Sequence, residues 1–294
     1  MVDLAIIILS FNTKDLTKKC LDSIFEKNWK TNFKVVVVDN NSTDGSPEMI
    51  KQGFPKVKLL ENQKNVGFAK GNNQAIGSID AKYYLLLNSD TIVLEGSLDN
   101  LVQFIKASDF GIVSCKLIYE DQTFQPNVGE LPYFWPVFNW LSGLDDLFKG
   151  LVSYHANHIR AYSDGKEVGW VSGSVMMIKK EVLDSIGLFD DKIFMYAEDV
   201  DFCWRAKNKG FKIGWTNQAE IIHLGGGSSK RAKLTQWRGE FRGLLYFYKK
   251  HFGVLAAFGL KLLIYFFVIL RMMAFFIIGK FDYSKTYGQI LISI

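Results

Sequence analysis

Cysteine is scarce in this chain, and its placement excludes two kinds of architecture. Cys20, Cys115 and Cys203 are all there is in 294 residues. Their odd number, and the lack of any Cys-x-x-Cys spacing, argue against both a disulfide framework and a zinc site. A reducing cytosol fits best. No secretory leader is expected, because the apolar stretch 5–9 is too short and Asp3 stands where basic residues belong. No P-loop occurs, and the run Gly225-Gly226-Gly227 is not a Gly-x-Gly-x-x-Gly fingerprint. Internal repeats and low-complexity tracts are also missing.

What is present is ample apolar material, 48% of the residues, enough for a sizeable core. The net charge of +5 is modest but uneven. Lys230, Arg231, Lys233, Arg238, Arg242, Lys249 and Lys250 crowd one stretch in which Glu240 is the only acid. Such a cluster suits a polyanion, either nucleic acid or an anionic membrane. The apolar segment 254–278 directly after it decides for the membrane and against nucleic acid. Sixteen residues there are Val, Ile, Leu or Phe, against two cations, Lys261 and Arg271. On an insertion scale of roughly −0.3 to −0.6 kcal/mol per apolar residue and about +2.5 to +3.5 per cation, the sum leans slightly toward insertion. Three arrangements stay open: a helix that spans, a helix that lies in the interface, and a buried core helix. The first two put the protein at the cytoplasmic face of the plasma membrane.

Short, nearly all-apolar runs at 4–10, 33–39, 57–60, 83–88 and 112–118 have the mark of strands buried on both faces. Helical segments at about 13–28, 68–79, 94–106 and 198–209 alternate with them or follow, the last closed by Gly210. This rhythm predicts an α/β fold with a mostly parallel central sheet and helices on both faces. Further strands are expected at 171–178, 213–216 and 221–223. Residues 131–141, rich in aromatics and holding Pro132 and Pro136, are expected to form neither a regular helix nor a central strand. In this insert Trp135 and Trp140 suit either packing or contact with an acceptor or lipid. The expected division is a main domain over 1–228, with halves of about 1–120 and 121–228, and a membrane-associating region over 229–294.

Ligands in such sheets bind beyond the carboxyl ends of the strands, which singles out Ser10, Asn12, Asp39 and the run Asn88-Ser89-Asp90. Asp39 either caps the following turn or accepts hydrogen bonds from a nucleobase or ribose. Asp90 either caps a helix or holds Mg²⁺ or Mn²⁺ against a diphosphate, since an unpaired charge at a central strand end is costly. Glu198, Asp199 and Asp201 crowd the start of one helix. The macrodipole and an (i, i+4) pair with Arg205 account for Asp201. They account less well for two more adjacent acids, and Asp199 is the candidate general base, with Glu198 next in line. His223 at a strand end is either structural or a supplementary metal ligand.

The order of these motifs resembles the family 2 glycosyltransferases of GT-A fold, and within them the rhamnosyltransferase-like members that build bacterial surface polysaccharides. The resemblance covers about residues 2–227. It is carried by IIILSFN, VVVVDNNSTDGS, NQKNVGFAKGNNQAI, YYLLLNSD, the long run from VSGSVMMIKK to CWRAKNKG, and HLGGGS. It implies a nucleotide diphosphate sugar donor held by Ser10, Asn12 and Asp39, with Asn65, Gly67 and Asn73 along its ribose-diphosphate. Asn88-Ser89-Asp90 takes the Asp-x-Asp place, Asp199 the base position, and Gly173-Ser174 a place near the reacting centre. Asn88 departs from the family's first Asp, which makes that contact neutral. The Gln-x-x-Arg-Trp signature of processive synthases is missing, which points to one sugar per encounter. The implied enzyme is an inverting, Mn²⁺- or Mg²⁺-dependent hexosyltransferase acting on a saccharide acceptor, a lipid-linked one being in view. Rhamnose as the transferred sugar rests on likeness alone. Two rivals are a sugar nucleotidylyltransferase, which lacks its basic glycine-rich loop here, and a non-catalytic sugar-nucleotide-binding membrane protein, for which a base would be superfluous.

Overall fold

The computed structural model describes residues 2–157, 162–225 and 232–294. Gly226, Gly227, Ser228, Lys230 and Arg231, and the side chain of Lys233, lie outside the described set. The first half runs β1 (Val2–Ser10), α1 (Lys14–Phe25), β2 (Phe33–Asp39), α2 (Ser46–Gly53), β3 (Lys58–Glu61), α3 (Phe68–Gly77) and β4 (Ala81–Asn88). Next come β5 (Thr91–Val93), α4 (Ser97–Ala107), β6 (Phe110–Ile118), β7 (Phe124–Gln125), β8 (Val128–Gly129), α5 (Phe134–Ser142) and α6 (Leu144–Leu147). Then follow β9 (Lys166–Glu167), β10 (Trp170–Val171), β11 (Val175–Lys179), α7 (Lys180–Ile186), α8 (Glu198–Asn208) and β12 (Lys212–His223). The C-terminal helices are α9 (Ala232–His251), α10 (Val254–Ile277) and α11 (Phe281–Ser293).

The main sheet has the order β3-β2-β1-β4-β11-β6-β12-β5. It is parallel from β3 through β4 and again between β6 and β12, with β11 antiparallel between β4 and β6. Alternation along β1 explains its run of apolar residues. Ala5 and Ile7 enter the core on one face, while Leu4, Ile6 and Ile8 enter the core on the other. The register pairs Ser10 with Asp39 and Leu9 with Asn88, so three of the singled-out positions share one edge of the sheet. The three cysteines are free and buried, and burial pushes the thiols of Cys20 and Cys115 up to about 12.

Three expectations are corrected. Residues 134–142 do form a helix, α5. Pro136 sits in its first turn, where no intrahelical partner for the missing N–H exists, so the ring is tolerated. The expected strand 171–178 is broken into β10 and β11, with Gly173 and Ser174 in the break between them. The two short strands at 213–216 and 221–223 are one strand, β12, with a register shift between Thr216 and Glu220.

The C-terminal helices pack against α8 through α9. Trp204 of α8 meets Phe247 of α9 edge-on at 5.3 Å. Asp201 is fully buried and accepts from Lys250 Nζ and His251 Nε2, both at 2.7 Å, and from Arg205 Nε at 2.9 Å. Burial alone would raise its carboxyl, but the bonds from His251, Lys250 and Arg205 outweigh that and hold it at about 2. Part of the basic cluster therefore serves the fold. Arg242 donates to the Ser293 carbonyl, and Lys250 also reaches Asp190.

Candidate active site

The loops after β1 and β2 are tied to one another by side-chain hydrogen bonds. Asn12, with φ of 52°, receives the Thr43 N–H on its Oδ1 at 2.8 Å and donates its own N–H to Ser42 Oγ at 2.9 Å. Asp44 accepts from Lys14 N at 2.8 Å. The loops after β1 and β2 thus form one rim, as Asn and Asp side chains commonly do by mimicking backbone turns. Ser10 is buried in a hydroxyl cluster with Thr13, Thr17 and Ser89. Asp39 spends one carboxylate oxygen on the Ser42 N–H at 2.8 Å, whereas its Oδ2 is buried without a partner. A buried orphan acceptor at a strand tip calls for a donor from outside the chain.

Asn65 and Gly67 make the next loop. Asn65 Oδ1 accepts the Gly67 N–H at 2.9 Å, and Gly67 has φ of 86°. A Cβ there would lie 2.5 Å from the Phe194 carbonyl oxygen, so only glycine fits. Asn73 is tied to the backbone before α8. Its amide donates to Phe189 O at 2.8 Å and accepts from Phe189 N at 3.0 Å, which occupies both ends of the side chain. It clamps the segment before α8 and keeps a second amide N–H and a second carbonyl lone pair.

At the end of β4 the two halves meet. The Asn88 N–H donates to Ser174 O at 2.9 Å, and the neighbouring Gly173 N–H donates to Asp199 Oδ2 at 3.0 Å. Pairing of β12 with β5 sets His223 opposite Thr91. The imidazole Nε2 then lies 3.2 Å from Asp90 Oδ1 and 3.4 Å from Asn88 Nδ2. His223 Nδ1 is 3.0 Å from Gln125 Oε1. With Nδ1 donating to that oxygen, the Nε2 lone pair faces a carboxylate oxygen, an arrangement that a shared proton or a cation resolves. Among the described residues no group of three or more His, Cys, Asp or Glu is gathered for a metal. One carboxylate and one imidazole do fit a cation that takes its remaining ligands from phosphate and water, as Mg²⁺ and Mn²⁺ commonly do.

Glu198 and Asp199 open α8 after a turn in which Tyr196 and Ala197 have φ of 73° and 69°. Left-handed backbone at two successive non-glycine residues costs of order 1–3 kcal/mol each and persists only where the surroundings enforce it. Asp199 Oδ1 accepts the Val200 N–H at 2.8 Å. Burial pushes the Asp199 carboxyl up to about 6, partly offset by its backbone hydrogen bond from Gly173. Glu198 is 4% exposed, and burial together with the charge of Asp199 drives it well above the ordinary carboxylate range. Burial and the charge of Asp199 both favour the neutral form of Glu198, which eases the repulsion between the adjacent acids.

Reasoning from sequence missed four contributors. Gln125 orients His223, and Tyr154, His155 and Glu240 line the far side of the acidic pair. Tyr154 Oη donates to Glu240 Oε1 at 2.8 Å, and His155 Nε2 lies 3.5 Å from the same oxygen. The signals for Glu240 were its isolation as an acid in a basic run and the glycines at 239 and 243 that flank it. A cavity of about 250 Å³ opens beside His155, lined by Glu130, Asp145, Lys149 and Lys166, and contains none of the expected site residues.

The sequence model described as glycosyl transferase family 2 matches residues 5–187. The chain belongs to glycosyl transferase family 2. It is 26% identical over 213 residues to the N-acetylglucosaminyl-diphospho-decaprenol L-rhamnosyltransferase of Mycobacterium tuberculosis (strain ATCC 25618 / H37Rv), which covers 64% of this chain and 66% of that protein. It is 24% identical over 230 residues to the rhamnosyltransferase WbbL of Escherichia coli (strain K12), covering 74% of this chain and 82% of the relative. Among solved structures, the mannosyltransferase PcManGT from Pyrobaculum calidifontis, in complex with GDP-Man and Mn²⁺, superposes with a TM-score of 0.56 at 20% identity. That match covers 85% of this chain and 66% of the other. GalNAc-T7 with UDP, GalNAc and Mn²⁺ gives 0.59 at 14% identity, over 85% and 48%. This family 2 chain is a glycosyltransferase with the GT-A type of fold, and α8 with its acids lies beyond the segment the family model matches.

Proposed function

We propose that this glycosyltransferase moves a sugar from a nucleotide diphosphate onto an acceptor hydroxyl by a single displacement that inverts the anomeric centre. The observation that carries the reading is Asp199, a carboxylate raised to about 6 and aimed by the Gly173 N–H beside the strand end that bears Asp90. Asp199 takes the acceptor proton, the acceptor oxygen forms its bond to C1, and the C1–O bond breaks with its electron pair leaving on the diphosphate. A base tuned near the working pH does this best, and is typically worth ~10²–10⁴ in rate. Glu198, holding its proton, leaves Asp199 as the carboxylate that changes state. The orphaned Asp39 Oδ2 supplies an acceptor for a base or ribose donor of the nucleotide. Ser10 and Asn12 shape the rim around it, while Gly67 and Asn65 shape the loop next to it. Asp90 and His223 would hold Mn²⁺ or Mg²⁺, which would neutralise charge growing on the diphosphate. A non-catalytic sugar-nucleotide binder is the weaker reading, because it needs neither a raised carboxylate nor the strained turn that aims it.

The setting proposed is surface polysaccharide assembly at the cytoplasmic face of the plasma membrane, with rhamnose as donor sugar and a lipid-linked acceptor, as the names of the relatives suggest. Helix α10, of mean hydropathy 2.2, is long and apolar enough to cross a bilayer. Its lateral contacts favour the interfacial arrangement. Phe267 meets Phe138 of α5 at 5.7 Å, and Arg271 donates to the Trp140 and Leu141 carbonyls. Lys261 donates to the Ile294 carbonyl at 3.0 Å. A helix attached to α5 this far along its length lies beside the domain, with Leu255, Phe258, Leu262, Phe266 and Met273 exposed on its outer face. Trp135 of α5, 67% exposed, suits the same interface.

The test is a set of nucleotide sugars offered with Mn²⁺ and a lipid-linked saccharide, with the linkage of the product read by NMR. Transfer with an anomeric configuration opposite to the donor's supports the reading. Retention overturns the displacement mechanism, and nucleotide binding without transfer to any acceptor favours the binder.

A further inference from the structure

Helix α9 lies well beyond the segment matched by the family model, yet it reaches the acidic pair. It does so through two glycines. A Cβ at Gly239 would sit 2.1 Å from Tyr196 Cδ2, and one at Gly243 would sit 2.4 Å from the Tyr196 carbonyl oxygen and 2.8 Å from Ala197 Cβ. Helix and turn approach so closely that no side chain fits at either position. The turn is the left-handed pair that precedes Glu198, so α9 is the wall that keeps it in that conformation.

Between the two glycines Glu240 points inward and is 9% exposed. A buried carboxylate is costly unless it is hydrogen-bonded, and Glu240 accepts from Tyr154 Oη with His155 Nε2 3.5 Å from the same oxygen. Burial would raise it, but hydrogen bonds from His155 and Tyr154 outweigh that and keep it below its ordinary range. His155 is itself fixed among Trp140, Tyr154 and Trp170, at 5.1, 4.6 and 5.2 Å between ring centres. The titratable groups that face Glu240 are Tyr196, Glu198 and Asp199 from the turn and α8, and Tyr154 and His155 from the opposite segment. Asp199 faces these carboxyl and imidazole groups and Cys203 of its own helix, with the Gly173 N–H on its other side.

We propose that Glu240 is a positioning residue for sugar transfer: a fixed negative charge that α9 carries within electrostatic reach of Asp199 and Glu198, with Gly239 and Gly243 seating it against the turn that aims them. The inference rests on Asp199 being the base. A like charge disfavours ionisation of its neighbours, so Glu240 strengthens Asp199 as a base and keeps the proton on Glu198. The C-terminal helices then do more than attach the enzyme to a surface. The helix that leads into α10 also completes the acceptor side of the site.

The test is the pH dependence of kcat/KM for Glu240→Gln and Glu240→Asp in the full-length enzyme, with melting temperature as the check on folding. Glu240→Gln keeps the shape and the bond from Tyr154 but removes the charge. Its acid limb, set by Asp199 at about 6 in the native enzyme, should move to lower pH by about half a unit or more. Glu240→Asp keeps the charge and should bring the limb back toward the native position. An unmoved limb, an equal loss of rate at every pH, or an Asp variant that behaves like the Gln variant overturns the proposal. Failure of Glu240→Gln to fold also overturns it and leaves Glu240 a structural residue. If Asp199→Asn retains transfer, the base assignment falls and takes this proposal with it. If Asp199→Asn is inactive and the Glu240→Gln limb does not move, only the role of Glu240 falls.

Discussion

Replacing Asp201 by asparagine should loosen α9 from α8 by an amount that the structure sets. The carboxylate is fully buried, and its three donors are Arg205, Lys250 and His251. Its depression from 3.8 to about 2 corresponds to about 2.5 kcal/mol of folding free energy at neutral pH. Losing one partner of a buried ion pair generally costs about 3–5 kcal/mol, because the other charge is stranded. Here the stranding is partial. Arg205 keeps the Ile186 and Leu188 carbonyls at 2.8 Å, and Lys250 keeps Asp190 at 2.8 Å. The lower figure therefore applies, and about 2.5 kcal/mol translates into a melting temperature lower by roughly 4 °C for a chain of 294 residues. The sign of the pH dependence follows from a depressed carboxylate. Its stabilisation is complete above about pH 4 and disappears as pH falls through about 2. Differential scanning fluorimetry in mild detergent should show the gap between native and Asp201→Asn protein narrowing as pH is lowered from 5 toward 3. A variant that melts within one or two degrees of the native protein at pH 7, or a gap that widens in acid, would refute the reasoning.

Chelation by EDTA should abolish transfer, and Mn²⁺ or Mg²⁺ should restore it. Asp90→Ala should weaken binding of a nucleoside diphosphate much more than that of the nucleoside, while His223→Ala should give a milder form of the same defect; full activity in chelator would remove the metal from the account. Phe258→Asp combined with Phe266→Asp on the exposed face of α10 should cut the fraction floating with anionic phospholipid vesicles by about a hundredfold, since each buried phenylalanine is worth roughly 1.5–3 kcal/mol. Unchanged flotation would show that α10 is not the lipid contact.

The sheet edge that carries Ser10, Asp39 and Asn88 was legible because periodicity fixes where its strands end. Residues 4–10, 33–39 and 83–88 read as strands buried on both faces, so Ser10, Asp39 and Asn88 had to lie together at one sheet edge, and the register puts them there. Asp201 and Arg205 were legible for a similar reason, as an (i, i+4) pair on a helix. Helix α5 was not, because two prolines usually break helices and nothing local announces that Pro136 falls in a first turn. The clamp that Asn73 makes was not legible, because its partner, the Phe189 backbone, lies 116 residues away. Glu240 and His155 were missed for the same physical reason. Their mutual contact and their approach to Asp199 are created by the return of α9 onto the sheet, and no spacing in the chain encodes it. Even so, an acid alone among cations and a Gly-x-x-x-Gly step beside it are traces of close helix packing around an internal charge.

The central claim is that Asp199 takes the acceptor proton, and single-turnover transfer by Asp199→Asn tests it most directly. With enzyme in excess over radiolabelled donor and a lipid-linked saccharide as acceptor, the variant should melt like the native enzyme and bind donor with nearly native affinity. Its transfer step should be slower by at least ~10², the low end for loss of a general base. Transfer within a few-fold of the native rate, in a protein that folds and binds donor normally, would contradict the claim and move the search for the base to Glu198.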